Sequence, residues 1–228
     1  MFTAGVVNLY TREFYEQARA HLAPDGLMMT WMPTGNMTID DERQMFRAMW
    51  EVFPHATLWW QLRGGCGLMV GTLAPLRIDY QRLKTHMTEP RVNQDLTLAG
   101  VRRVDHFLSF FVFAEAAFTE FVRDVPPTTD DRTVIDFTAP RFSGSGFGLG
   151  QYTASVSTRD GKSFGVAGER QAYYLSRRRS VVPYLVNLGD ETPEAVEKRI
   201  ADSTRLPLGL RPLTEAEWRA MRADGAHR

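Results

Sequence analysis

Phe14, Ala18 and Leu22 recur at every fourth position, with Tyr15 beside them and Arg12, Glu13, Glu16 and Arg19 on the opposite side. That periodicity predicts an amphipathic, sheet-covering helix from Thr11 to Leu22. The stretch APDG ends it, because Pro24 cannot continue the hydrogen-bond ladder and Gly26 tolerates positive φ. LMMTWM, Leu27 to Met32, then runs apolar on both faces up to Pro33, the pattern of a central strand covered on both sides. Thr38 followed three residues later by Asp41 is a capping-box start, and Met45, Phe46, Met49, Trp50 and Phe53 share one helical face until Pro54. ATLWWQL and GLMVGT are strand-like runs joined by RGGC, a link too short for a crossover helix, so they are predicted to pair antiparallel.

Leu76 to Val125 reads as mostly helical, with Asp79 to His86 and Phe107 to Val122 as the segments. After it come an extended entry, a turn on Thr129 to Arg132 and a short strand from Val134 to Phe137. Beyond Phe142 the composition shifts: SGSGFGLGQ is linker-like, and YTASVSTRDGKSFGVAG is a hairpin turning on Asp160-Gly161. Two capped helices are expected near the end, Pro193 to Ser203 after Thr192 and Glu215 to Ala223 with Thr214 and Glu217 as a capping box. The pattern divides the chain into an α/β unit at 1–75, a mostly helical segment at 76–141, and a linker with a hairpin and helices at 142–228.

Composition narrows the function classes. The 228 residues are 43% hydrophobic, and 27 Lys plus Arg balance 27 Asp plus Glu. A neutral chain lacks the broad attraction that non-specific nucleic-acid binding needs, so no nucleic-acid partner is expected. The single Cys66 cannot close an internal disulfide, and the start MFTAGVVNLYTREFY has neither the basic nor the apolar region of a signal peptide. The uncharged core of VDHFLSFFVFAEAAFTEFV is shorter than the ~20 residues a spanning helix requires, and a cytoplasmic location is expected. His21, His55, His86, His106 and His227 show no ligand spacing, so no metal site is predicted. GSGFGLG has Leu149 where a dinucleotide loop needs its third glycine. Asp130, Asp131 and Arg132 fit a capped turn, Arg177 to Arg179 a solvated patch, and Trp31, Trp50, Trp59 and Trp60 core packing.

Four pieces in order, AGVVNLYTREFYEQARAHLAPDGLMMTWMP, FPHATLWW, GLMVGT and TDDRTVIDFTAPR, resemble the spermidine synthase-like (polyamine aminopropyltransferase) family over Ala4 to Arg141. The resemblance implies an α/β fold, the carboxyl half of a class I methyltransferase-like Rossmann sheet: its last parallel strand, a helix and an antiparallel terminal hairpin, followed by a mixed α+β extension. It implies aminopropyl transfer from decarboxylated S-adenosylmethionine, a co-substrate of the complete domain, to a diamine such as putrescine. An amine nucleophile must lose its proton beside a sulfonium leaving group, which calls for a carboxylate base and an aligned pocket.

The family carries its glycine-rich loop, ribose-binding acid and catalytic Asp on earlier strands, so no catalytic or cofactor-binding residue is assigned to this chain and no cofactor is expected on it alone. Near the end of the last parallel strand, where the family often has Gln, this chain has Thr30 and Trp31. These two, with Tyr10, are the substrate-facing candidates. The expected partners are the diamine and an upstream domain or second chain that completes the sheet, with a homo-oligomer as a further arrangement. A non-catalytic interaction module and a small-molecule methyltransferase are the alternatives.

Overall fold

The computed structural model describes residues 6–32, 38–61, 66–137, 174 and 177–203. A 3-10 turn, Val6–Tyr10, leads to Thr11, whose hydroxyl accepts the Phe14 amide and caps α1, Arg12–Ala20. β1 follows at Leu27–Met32. The Thr38 and Asp41 side chains then each accept the other's backbone N–H, the reciprocal capping box that starts α2, Ile39–Val52. β2, Thr57–Gln61, and β3, Cys66–Thr72, form the predicted antiparallel hairpin, with Trp59 opposite Leu68.

β3 does not end the sheet. It lies between β2 and β1 and pairs antiparallel with both, Trp31 opposite Leu68 and Met29 opposite Val70, so β1 and β2 run parallel to each other with α2 as their crossover. On the other side of β2 lies a fourth strand, β5 at Phe111–Ala114, giving the order β1-β3-β2-β5. A separate short pair, β4 at Ile78–Asp79 and β6 at Leu185–Val186, is parallel. The fold is thus mixed α/β, with a four-stranded sheet whose bonded neighbours are all antiparallel.

Two cores flank that sheet. On one face Leu58, Trp60, Met69 and Met32 meet α2 through Met45, Phe46 and Met49, together with α6, Glu115–Val122, through Phe118 and Phe121. Phe46 stands edge-on to Phe118 and Phe121 at 5.8 and 5.6 Å, and Tyr174 stacks on Trp60 at 4.7 Å. Gly71 is needed here, because a Cβ at that position would lie 2.7 Å from Phe53. On the opposite face Trp59 and Phe111 are covered by a second cluster. It is built from α3 (Tyr80–Thr88), α5 (Val104–Leu108) and α7 (Pro193–Ser203), with Tyr80, Leu108, Val196 and Ile200 buried in it. α4, Pro90–Leu98, lies outside with no buried residue.

Several expectations change. β1 is not a central strand covered twice: it is an edge of the sheet, and Leu27, Met29 and Trp31 are 58, 57 and 53% exposed. An apolar strand pattern reports that both faces could be covered, not that both are. Trp31 is therefore not core packing, whereas Trp60 is buried and Trp50 and Trp59 are half-buried. The expected helix from Phe107 to Val122 is split, because Phe111–Ala114 is taken up as the strand beside β2 and Glu115, at φ 44°, turns the chain into α6. Residues 134–137 are helical where a strand was expected, and Ile135 joins the first core. Arg177 lies over the Phe121 ring at 5.5 Å, so the arginine run is not simply solvated. The linker, the hairpin at Tyr152 to Gly168 and the helix from Glu215 to Ala223 lie outside the described residues.

Candidate functional site at the carboxyl end of β1

Tyr10, the last residue of the 3-10 turn, is held against the end of β1: its hydroxyl donates to the Trp31 carbonyl at 2.9 Å. Thr11 follows at once, fully buried, its hydroxyl donating to the Asn8 carbonyl, so turn and helix start are locked together. One helical turn on, Tyr15 is also fully buried, packed edge-on against Phe14 at 5.5 Å. Thr30 lies on the face of β1 that carries the buried Met32, the face these tyrosines cover.

The Thr30 Oγ1 and the Tyr15 hydroxyl are both sealed from solvent and neither meets good hydrogen-bond geometry. They lie close enough to act on each other, yet burial dominates and drives the Tyr15 phenol well above 10, with Thr30 opposing and Tyr10 adding to the rise. Tyr10, 5% exposed, is pushed up by burial to about 12. Of the three residues singled out from sequence, Tyr10 and Thr30 come together here. Trp31 joins them only through its carbonyl, since strand alternation sends its indole to the opposite, open face. Tyr15 is the member that the sequence does not single out, because its periodicity places it only beside the apolar stripe of α1.

The chemistry of this group is limited by its pKa values. The Tyr10 hydroxyl is taken up by the Trp31 carbonyl, and the Tyr15 and Thr30 hydroxyls are sealed from solvent, so the group is a buried polar cluster under the end of β1. None of the three can act as a general base near neutral pH.

Two other polar clusters are structural in their wiring. Arg199 donates to the Tyr80 hydroxyl at 3.0 Å and to Asp105 at 3.3 Å, and also pairs with Glu191, which Lys84 reaches at 2.7 Å. Burial and then Arg199 act in opposite senses on Tyr80, whose pKa ends raised, while Lys84 first and Arg199 next hold Glu191 low. This network joins α3, α5 and α7. In the first core Tyr174 donates to the buried Glu42, and Arg43 bonds the Phe121 carbonyl at 2.7 Å and pairs with Asp124, fastening α2 to the end of α6.

The acidic turn is structural as well. Thr129 and Arg132 bridge across it, Thr128 links Gln44 to the Arg12 amide, and the Asp130 amide donates to Glu13 at 3.0 Å, docking the turn on α1. Among the described residues no three His, Cys, Asp or Glu side chains gather as a metal site, and no helix is long and apolar enough to cross a membrane. No protein-family model, curated protein or solved structure matches the chain.

Proposed function

We propose that this chain is the carboxyl half of a spermidine synthase-like, methyltransferase-like domain, and that it takes part in aminopropyl transfer to a diamine only when a second polypeptide segment supplies the cofactor loop and the base. The observation that supports this reading most is the arrangement of β1. It is followed by a crossover helix and a hairpin whose return strand slots beside it, and among the described residues its outer edge pairs with no further strand. At the carboxyl end of that strand Tyr10, Tyr15 and Thr30 pack as a neutral, buried polar group beneath the edge that the missing segment would meet. The sequence order of the four matching pieces supports it from the other side, and the cytoplasm is where such an enzyme would work.

The competing reading is a non-catalytic interaction module. The same edge, unpaired among the described residues, favours it, because an unpaired apolar strand edge recruits another chain. Mass-spectrometric assay of the isolated chain with decarboxylated S-adenosylmethionine and putrescine separates one claim at once. No spermidine is expected; turnover by this chain alone would show that the base lies within it.

A further inference from the structure

Tyr174 and Val181 belong to different cores. Tyr174 is fully buried in the first, stacked on Trp60 at 4.7 Å, and Val181, seven positions on, is buried in the second, on the opposite face of the sheet. Seven residues reach ~25 Å at most, enough to round the side of one sheet. The side they round is β5, because the Arg179 amide donates to the Val112 carbonyl at 2.7 Å.

Val112 needs that bond. β5 pairs with β2 as Leu58 opposite Phe113 and Trp59 opposite Phe111, so the register skips Val112 and leaves it as a bulge. Val112 is fully buried, and a buried carbonyl left out of the ladder costs about as much as a lost hydrogen bond unless another donor takes it. Arg179 supplies the donor.

The residues on either side of Arg179 are anchored. The Arg177 amide donates to the Tyr174 carbonyl at 3.1 Å, the Arg177 guanidinium lies over the Phe121 ring at 5.5 Å, and the Tyr174 hydroxyl donates to Glu42. Towards the second core the Ser180 hydroxyl donates to Glu197 of α7 and accepts the Val182 amide at 3.1 Å. Exposed Arg179 turns its guanidinium back onto the carbonyls of Arg177 and Arg178, at 3.4 and 3.3 Å, so two carbonyls of the segment are occupied and a charge stands over them. A sheet edge is a template for another strand, and natural sheets blunt it with a bulge, a charge or a covering loop. β5, the last strand of the order among the described residues, carries all three.

We propose that residues 174–181 are a clip over the β5 edge, which keeps that edge from pairing with a strand of a second copy of this chain. The clip lies at the opposite side of the sheet from β1, so it stands or falls independently of the enzymatic reading. The test combines amide exchange on the full chain with the self-association of Arg179→Pro, which removes the N–H that Val112 accepts and leaves Tyr174 and Val181 in place. In the unaltered chain the Arg179 amide is expected to exchange at least about tenfold more slowly than in an unstructured peptide. Arg179→Pro is expected to keep its near-ultraviolet circular dichroism, to self-associate about tenfold more tightly than the unaltered chain in sedimentation velocity, and to gain protection at Phe111 to Ala114 as it associates. An Arg179 amide that exchanges freely, a variant that associates no more strongly, or association that protects another segment instead would each overturn the proposal. Loss of the fold on this one exposed substitution would overturn it too, because the segment would then be part of the core and not a guard over its edge.

Discussion

Tyr10→Phe is expected to be destabilising at neutral pH and stabilising in strong alkali. Below pH 10 the phenol is neutral folded and unfolded, and the substitution removes its bond to the Trp31 carbonyl, about 1 kcal/mol. In the folded chain burial raises the Tyr10 pKa to about 12 from 10.0. As pH rises past 10 the unfolded state therefore loses this proton first, and stability that was fully present below 10 drains away until the folded group ionises as well. With those two values the loss is about 1.4 kcal/mol at pH 11 and about 2.3 at pH 12. Phenylalanine has no such loss, so the two stability curves should cross between pH 10 and 11, and the variant should be the more stable protein above it. Urea unfolding of both chains at half-unit steps from pH 8 to 11.5 measures the difference, in which the titration of groups not coupled to Tyr10 cancels. A difference that stays constant across that range would refute the claim that the phenol is buried against β1.

Gly71→Ala should lower stability by about 1–3 kcal/mol in urea unfolding, because the added Cβ meets Phe53 at 2.7 Å; a neutral result would mean α2 does not press on β3 there. Thr38→Ala removes one arm of the capping box and should cost about 1 kcal/mol, read in the same assay, with Asp41→Asn costing less because it keeps an acceptor. In a double-mutant cycle, Arg199→Met and Asp105→Asn should couple by about 1 kcal/mol, discounted because Arg199 is 37% exposed while Asp105 is 8%. Additive effects would mean that α7 is not held to α5 through this pair.

What was legible in the sequence was local. The helix start at Thr11, the Thr38 cap, the hairpin around RGGC, the Asp79 start of α3 and the Thr192 start of α7 each depend on a few adjacent residues, and each is found in the structure. The losses all came from pairings distant in sequence. FVFA reads equally well as helix, and becomes β5 because β2 has an edge to fill; the positive φ at Glu115 that ends it has no glycine to announce it. LMMTWM contains the apolar residues of a doubly covered strand, but among the described residues the cover on one face stops at β2. At the candidate site, Tyr10 and Thr30 were identified from their place near a strand end. Tyr15 was missed, because its burial against Thr30 is visible only once α1 lies on β1. The Tyr80, Asp105, Glu191 and Arg199 network, spread over more than a hundred positions, had no local signature at all.

The central claim is that β1 is where a catalytic half joins this one. Its most direct measurement is complementation: the chain mixed with the amino-terminal half of a spermidine synthase-like domain, ending before the helix that NLYTREFY resembles, and assayed with decarboxylated S-adenosylmethionine and putrescine while amide exchange is followed at Leu27 to Met32. The account predicts spermidine only from the mixture, together with slowed exchange along β1. A complex that slows exchange there yet forms no product would leave β1 as an interaction edge and contradict the enzymatic claim, and unchanged exchange would contradict the joining itself.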